Sequence, residues 1–300
     1  MKKITFGGLL FFAGIGVCFT AMSLFGFKEQ PAVEKIAVPG LYKAPALPDS
    51  MSFAGETVPL ERREINEQLD RELTYNYFQP QNVVYIIKLA ERFFPQIEAV
   101  LQANNVPDDF KYLCVAESNL QNLISKVGAT GFWQFMAGTA PGYNLEVSGS
   151  VDERYHVIKS TEAACKYLKQ AYNRFGSWTA AAASYNCGMG GYNQRVTQQG
   201  SKNYYDLVLP EETNRYIFRI LTFKHLLANA ESLGYDVADS YRYTSLKTKN
   251  ITVTQTIPNL VSFAKSNGTS FKVLKTLNPW LRSNTLQVRA GKTYDLLLPE

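Results

Sequence analysis

From Leu60 onward the apolar positions recur with the period of a helix. Ile65, Leu69 and Leu73 stand four apart, and after Pro80 the series Val83, Ile86, Ile87, Ala90, Phe93 and Phe94 continues the pattern. Ile97, Val100 and Leu101 resume it beyond Pro95, a residue expected to kink or restart the helix. A further helix is predicted to start near Asp108 and Asp109, whose charges suit an N-terminal turn. It carries Phe110, Leu113, Cys114 and Glu117 at i, i+3, i+4 and i+7, on one face. Ala163, Ala164, Tyr167, Leu168, Ala171, Tyr172 and Phe175 form an amphipathic face that Gly176 stops. Ser177 then caps an alanine-rich helix from Trp178 to Asn186, followed by Gly188, Gly190 and Gly191. Those glycines follow a helix, not a strand, and lack the lysine of a phosphate loop. Glu211, Glu212 and Thr213 open one more helix, with Tyr216, Ile217, Ile220, Leu221 and Leu227 inward.

The two ends read differently. Lys2 and Lys3 precede an uncharged stretch from Ile4 to Phe27, roughly 36 Å long as a helix and enough to span a bilayer. With the lysines retained inside, the rest of the chain is expected to be exported to the far side of the membrane. A cleaved signal peptide is the alternative, with Thr20 to Ser23 as its cleavage region. Residues 28–59 hold Pro31, Pro39, Pro45, Pro48 and Pro59 without helical period and are expected to form an extended tether. At the other end, Ile251 to Ile257 alternates like a strand, Pro258 to Asn267 and Ser270 to Leu277 suit short helices, and Tyr294 to Leu298 suits a second strand. The expected organisation is therefore an N-terminal segment 1–27, a tether 28–59, a helical domain 60–235 and a β-α-α-β unit 241–300, mainly α overall.

A length of 300 residues with 46% apolar content describes a globular chain, and a net charge of +5 without a long basic run does not imply nucleic acid. The 4 cysteines show no paired spacing and the 2 histidines, His156 and His225, lie far apart, so neither a metal nor another cofactor is expected. Cys114, Cys165 and Cys187 suit buried fillers, with one disulfide left open.

The chemistry concentrates in residues 110–136. A carboxylate on an apolar helix face prefers to keep its proton, which raises its pKa and makes Glu117 usable as a general acid near neutrality. A structural carboxylate paired with an arginine is the competing reading. A turn with Gly128 and Gly131 comes next along the chain, then Phe132, Trp133, Gln134 and Phe135. Glycines let a backbone approach a ligand closely, aromatic faces stack on pyranose rings, and an amide serves hydroxyls both ways, while core packing is the competing reading of an aromatic cluster beside a turn. Glu146, Asp152, Glu153 and Glu162 are the nearby acids, each with a capping or solvent role open to it, so one acid is nominated where hydrolysis usually needs two.

Four stretches in order carry a resemblance. Ala116-Glu117-Ser118, then Gly128-Ala129-Thr130-Gly131-Phe132-Trp133-Gln134-Phe135-Met136, then Ser184-Tyr185-Asn186-Cys187-Gly188, then Glu212-Thr213 with Tyr216, closely resemble the motifs of family 1 lytic transglycosylases. The resemblance covers roughly residues 60–230, with small departures at Ala137 and Ser184. It implies a lysozyme-like helical fold and a peptidoglycan glycan strand as partner. Glu117 would be acid and then base in non-hydrolytic cleavage to a 1,6-anhydro sugar, Ser118, Gln134, Tyr185 and Asn186 would hold sugar and acetamido groups, and Tyr216 would bond the acid. Phe132 and Trp133 would wall the cleft. Taken by itself, Tyr216 is a core tyrosine. The C-terminal unit resembles a diverged LysM peptidoglycan-binding module that lacks its opening Gly-Asp-Thr, and sugar binding and packing both stay open for it. A lysozyme-like muramidase and a non-catalytic wall-binding protein are the alternatives for the whole chain.

Overall fold

The computed structural model describes residues 43–300. The predicted apolar segment 4–27 and the first part of the tether lie outside the described residues. Among those described, no helix is long and apolar enough to cross a membrane.

The helices follow the apolar periodicity: α1 (Arg63–Tyr77), α2 (Pro80–Ala103), α3 (Phe110–Ser118), α4 (Val157–Phe175), α5 (Trp178–Gln199) and α6 (Glu211–Ala228). Ile65, Leu69, Ile86, Ile97, Leu101, Leu113, Leu168, Ile217 and Ile220 meet in one core. Pro95 neither ends nor restarts α2. It is exposed, as is Glu91 one turn before it, so the carbonyl that loses its amide partner faces water. Helix α5 runs on past Asn186 to Gln199, but across a break at Gly188, whose φ of 77° and ψ of 147° lie outside helical space. The predicted end of the alanine-rich helix is thus a kink, and Tyr185 and Asn186 stand just before it.

The segment expected as a tether is corrected by the structure. Its second half folds into the domain through a two-residue hairpin, β1 (Ser52–Phe53) and β2 (Glu56–Thr57). Phe53 is fully buried with its ring edge-on to Phe110 at 5.2 Å, and the Ala54 amide donates to Asp109 Oδ2 at 2.7 Å. The Glu56 carboxylate accepts from the amides of Trp178 and Thr179 and from the hydroxyls of Ser177 and Thr179, at 2.6 to 2.9 Å. Four donors at the start of α5 are thereby satisfied by one side chain, beside the predicted Ser177 cap on the Ala180 amide.

The C-terminal unit has the expected order: β3 (Thr248–Val253), α7 (Leu260–Ser266), α8 (Phe271–Leu277) and β4 (Tyr294–Pro299). Strand β3 begins three residues before the predicted Ile251 and pairs antiparallel with β4, Ile251 opposite Leu296, while Ile257 bridges to Leu286 instead. Residues 241–244 lie along α2, the Tyr243 amide donating to the Lys88 carbonyl and Arg92 Nε to the Thr244 carbonyl. The module's core of Leu260, Leu274, Trp280, Leu281 and Leu296 also takes in Val151 and Tyr155 from the loop before α4. Backbone bonds stitch the seam: the Asp152 amide to the Trp280 carbonyl and the Arg282 amide to the Ser150 carbonyl, both 2.8 Å. Cys114, Cys165 and Cys187 are free thiols, so the disulfide left open by the sequence does not form among them.

Candidate active site

Glu117 is the penultimate residue of α3, on the face shared with Phe110, Leu113 and Cys114. The helix ends one residue later because Asn119 and Leu120 both take positive φ, 52° and 57°, and turn the chain away. The residue is half-buried. Desolvation pushes the carboxyl up from 4.5 to about 7, a hydrogen bond from Tyr216 and the charge of Arg219 pull against this, and Glu212 adds to it. Tyr216, buried in α6, donates its Oη to Glu117 Oε1. Burial holds the tyrosine's own pKa well above 10, so it remains the donor.

The start of α6 meets the kink of α5 beside this pair. Thr213 Oγ1 donates to Asn186 Oδ1 at 2.8 Å and Asn186 Nδ2 reaches Glu212 Oε1 at 3.5 Å. Glu212 lies one turn before Tyr216 and is exposed. Tyr185 is half-buried and donates its Oη to the Trp133 carbonyl at 2.8 Å.

The glycine turn packs against α3 at Cys114 and Ser118. The Phe132 carbonyl accepts from Ser118 Oγ at 2.8 Å and from Cys114 Sγ at 3.5 Å. Gly131 admits no side chain, since its φ is 84° and a Cβ there would stand 1.9 Å from the Arg154 carbonyl oxygen. Arg154 is buried and bonds both oxygens of Asp152, at 2.9 and 2.7 Å. The same guanidinium donates to the carbonyls of Gly128 and Phe135, at 3.2 and 3.1 Å.

The structure brings Glu117, Tyr185, Asn186 and Tyr216 together. It places three other predicted residues differently. Ser118 is buried and its hydroxyl is committed to the Phe132 and Cys114 carbonyls, so it ties α3 to the loop and does not present itself to a ligand. Phe132 and Trp133 do not wall an open cleft. Phe132 packs on Phe93 at 4.8 Å between ring centres, and the fully buried Trp133 donates its indole N–H to Thr161. The exposed apolar residues of this region are Leu123, Ile124, Val127 and Met136 instead. Gln134 is half-buried at a φ of 49°, its amide nitrogen spent on the Gly131 and Leu123 carbonyls and its oxygen left available.

Sequence reasoning assigns no site role to three acids and one arginine. By sequence Glu212 is a helix start and a member of the fourth motif, and Asp152 and Arg154 lie in a loop without period, Asp152 among the acids open to a capping or solvent role. Glu72 is buried in α1, bonded by Arg215 of α6 at 2.5 Å. Its position seven after Ile65 puts an acid on an apolar face, the same signal that singles out Glu117. The remaining loop acids are engaged: Glu146 with Ser148, Lys292 and Tyr294, and Glu153 with the Glu146 amide and Lys159. Glu162 is exposed within α4.

The transglycosylase SLT domain family matches residues 95–208, and the soluble lytic transglycosylase C-terminal LysM-like domain matches residues 249–300. The helical domain is accordingly lysozyme-like. Over 245 residues the chain is 25% identical to membrane-bound lytic murein transglycosylase D of Escherichia coli strain K12, covering 79% of this chain and 53% of that protein. The protein of that name from Escherichia coli O6:H1 matches with the same figures. The chain thus spans about half the length of the curated relatives it matches.

Proposed function

This chain carries an SLT domain and a LysM-like C-terminal domain and is homologous to membrane-bound lytic murein transglycosylase D, and from that premise we propose that it is a peptidoglycan lytic transglycosylase. The observation that supports this is the Glu117 carboxyl, raised to about 7 and bonded on one oxygen by Tyr216. At neutral pH such a group is present both as acid and as base, which is what a single-residue mechanism requires.

In that mechanism Glu117 gives its proton to the glycosidic oxygen between N-acetylmuramic acid and N-acetylglucosamine. The carboxylate then takes the proton of the 6-hydroxyl of the muramic acid, whose oxygen bonds to C1 as the leaving sugar departs. A 1,6-anhydro ring results, and no water is consumed. The nucleophile is already part of the substrate, so proximity takes the place of an activated water. Tyr216 holds Oε1 and leaves Oε2 for the substrate. Asn186, oriented by Thr213 and Glu212, and the free oxygen of Gln134 offer amide groups for hydroxyls and acetamides, and Tyr185 keeps the loop carbonyl of Trp133 in place. The role belongs to cell-wall remodelling in the envelope, with the chain held at a membrane by residues 4–27.

Glu212 favours one alternative. It is a second, solvent-exposed carboxylate whose charge is felt by Glu117, and a muramidase would use such a group to activate water. Mass spectrometry of muropeptides released from purified peptidoglycan separates the two. The transglycosylase product is one water lighter and has no reducing end at muramic acid. Reducing-end products would replace this reading by the muramidase one.

A further inference from the structure

We propose that Arg154 is a positioning residue for Glu117, and that the C-terminal module acts through it as a fixed brace on the glycine loop. The proposal rests on Glu117 being the acid, and its basis is a continuous line of contacts. The module holds the loop before α4 at three consecutive residues: the Arg282 amide on the Ser150 carbonyl, Val151 bridged to Leu281, and the Asp152 amide on the Trp280 carbonyl. The Arg282 guanidinium also lies over the Tyr155 ring at 4.1 Å.

Asp152 passes this hold to Arg154 through a two-pronged, buried ion pair. Arg154 then clasps the glycine loop at both ends, at the carbonyls of Gly128 and Phe135. Between those points the Arg154 carbonyl sits where a Gly131 side chain would be. The loop's far side is bonded to Ser118 and Cys114, the residues flanking Glu117 on α3. A guanidinium is the group for this task, because its fixed fork serves a carboxylate and two carbonyls at once.

The test is Arg154→Lys in the full chain. An ammonium cannot hold Asp152 at two oxygens and reach both carbonyls, so the loop is expected to move away from α3 and admit water to Glu117. The groups that face Glu117 are untouched: Cys114 on its own helix, Tyr185 from α5, and Glu212, Tyr216 and Arg219 from α6. Three readings are made. Carbon-labelled carboxyl NMR should show the Glu117 midpoint falling from about 7 toward 4.5. Turnover per folded molecule should fall on the order of 10- to 100-fold with KM little changed, as displacement of a catalytic group by about 1 Å produces. The product itself should be unaltered.

A lowered melting temperature with an unchanged midpoint and unchanged turnover per folded molecule would overturn the proposal, since that is what a purely structural pair would give. Asp152→Asn, which keeps the side-chain shape, carries the same readings where the lysine variant folds poorly. Arg282→Pro, which removes the amide donated to the Ser150 carbonyl at an exposed site on the module, should move midpoint and turnover in the same direction by a smaller amount. A null result there, with a positive one for Arg154→Lys, overturns the brace and leaves the positioning residue. The NMR midpoint needs no substrate, so failure of the wild-type protein to give anhydro products would refute the proposed activity without obscuring this one.

Discussion

Replacing Tyr216 by Phe removes one oxygen from the site and keeps the buried ring. In the wild-type protein the Tyr216 hydroxyl donates to Glu117 Oε1 and favours the ionised carboxylate against the desolvation that dominates it. A hydrogen bond to a charged group contributes about 1.5 to 3 kcal/mol, and one pKa unit corresponds to about 1.4 kcal/mol. Loss of the donor should therefore raise the Glu117 pKa from about 7 by roughly one to two units. The first chemical step needs the protonated acid, so activity is lost on the alkaline side, and that limb should move upward by the same amount. The plateau should drop by roughly ten-fold, because an acid held on neither oxygen samples other rotamers. The assay is the rate of muropeptide release from pH 5 to 10 with stability checked at each end. An alkaline limb that stays in place, or moves down, would show that Tyr216 does not stabilise the carboxylate and would refute the site geometry.

Three further outcomes are expected. Glu117→Gln should lower turnover on the order of 10² to 10⁴-fold; because the folded pKa lies above the ordinary 4.5, the acid's full contribution to stability is present below about pH 4.5 and is lost as pH rises through 7. The glutamine should thus match wild type near pH 4.5 and exceed it by up to about 3 kcal/mol at pH 8 in urea unfolding. His156, stacked on Trp280 at the seam, is held down from 6.5 to about 4 chiefly by burial, so its contribution is present above 6.5 and lost as pH falls toward 4. His156→Phe should flatten the fall in melting temperature across that window, by an amount equivalent to about 3 kcal/mol; an equally steep fall would remove this histidine from the acid response. Glu56→Ala should cost about 1 to 2 kcal/mol of stability through loss of the α5 cap while turnover stays as in wild type, and a melting temperature within a degree of wild type would show the cap to be idle.

Much of the scaffold is legible in the sequence because period carries it. Leu69, Ile86 and Ile217 are buried where their spacing puts them, and Glu117 stands out as a charge where the pattern wants an apolar residue. Other features leave no periodic trace. The hairpin at Phe53 and Glu56 has strands of two residues, too short to alternate, and its neighbouring prolines speak for a tether. Phe132 and Trp133 are misplaced by sequence because an aromatic side chain beside a glycine turn has the same signature whether it faces a ligand or the core. Trp133 can be buried because its indole N–H finds Thr161 inside, a partner 28 positions away. Arg154 and Asp152 are two apart in a loop, and only the fold shows which carbonyls the guanidinium meets.

The position of Tyr216 bears on how this protein can be cut and recombined. The stretch that matches the SLT family closes at residue 208, before α6 begins, and opens at residue 95, within α2. The acid lies within those limits; the hydroxyl that holds it, the Glu212 charge that lifts it and the hairpin that caps α5 lie beyond them. A chimera joined at the borders of the match would transplant the reactive group into a host that must supply its own donor. The segment that heredity marks most plainly is thus smaller than the piece that has to travel together, which runs from the Phe53 hairpin to the end of α6.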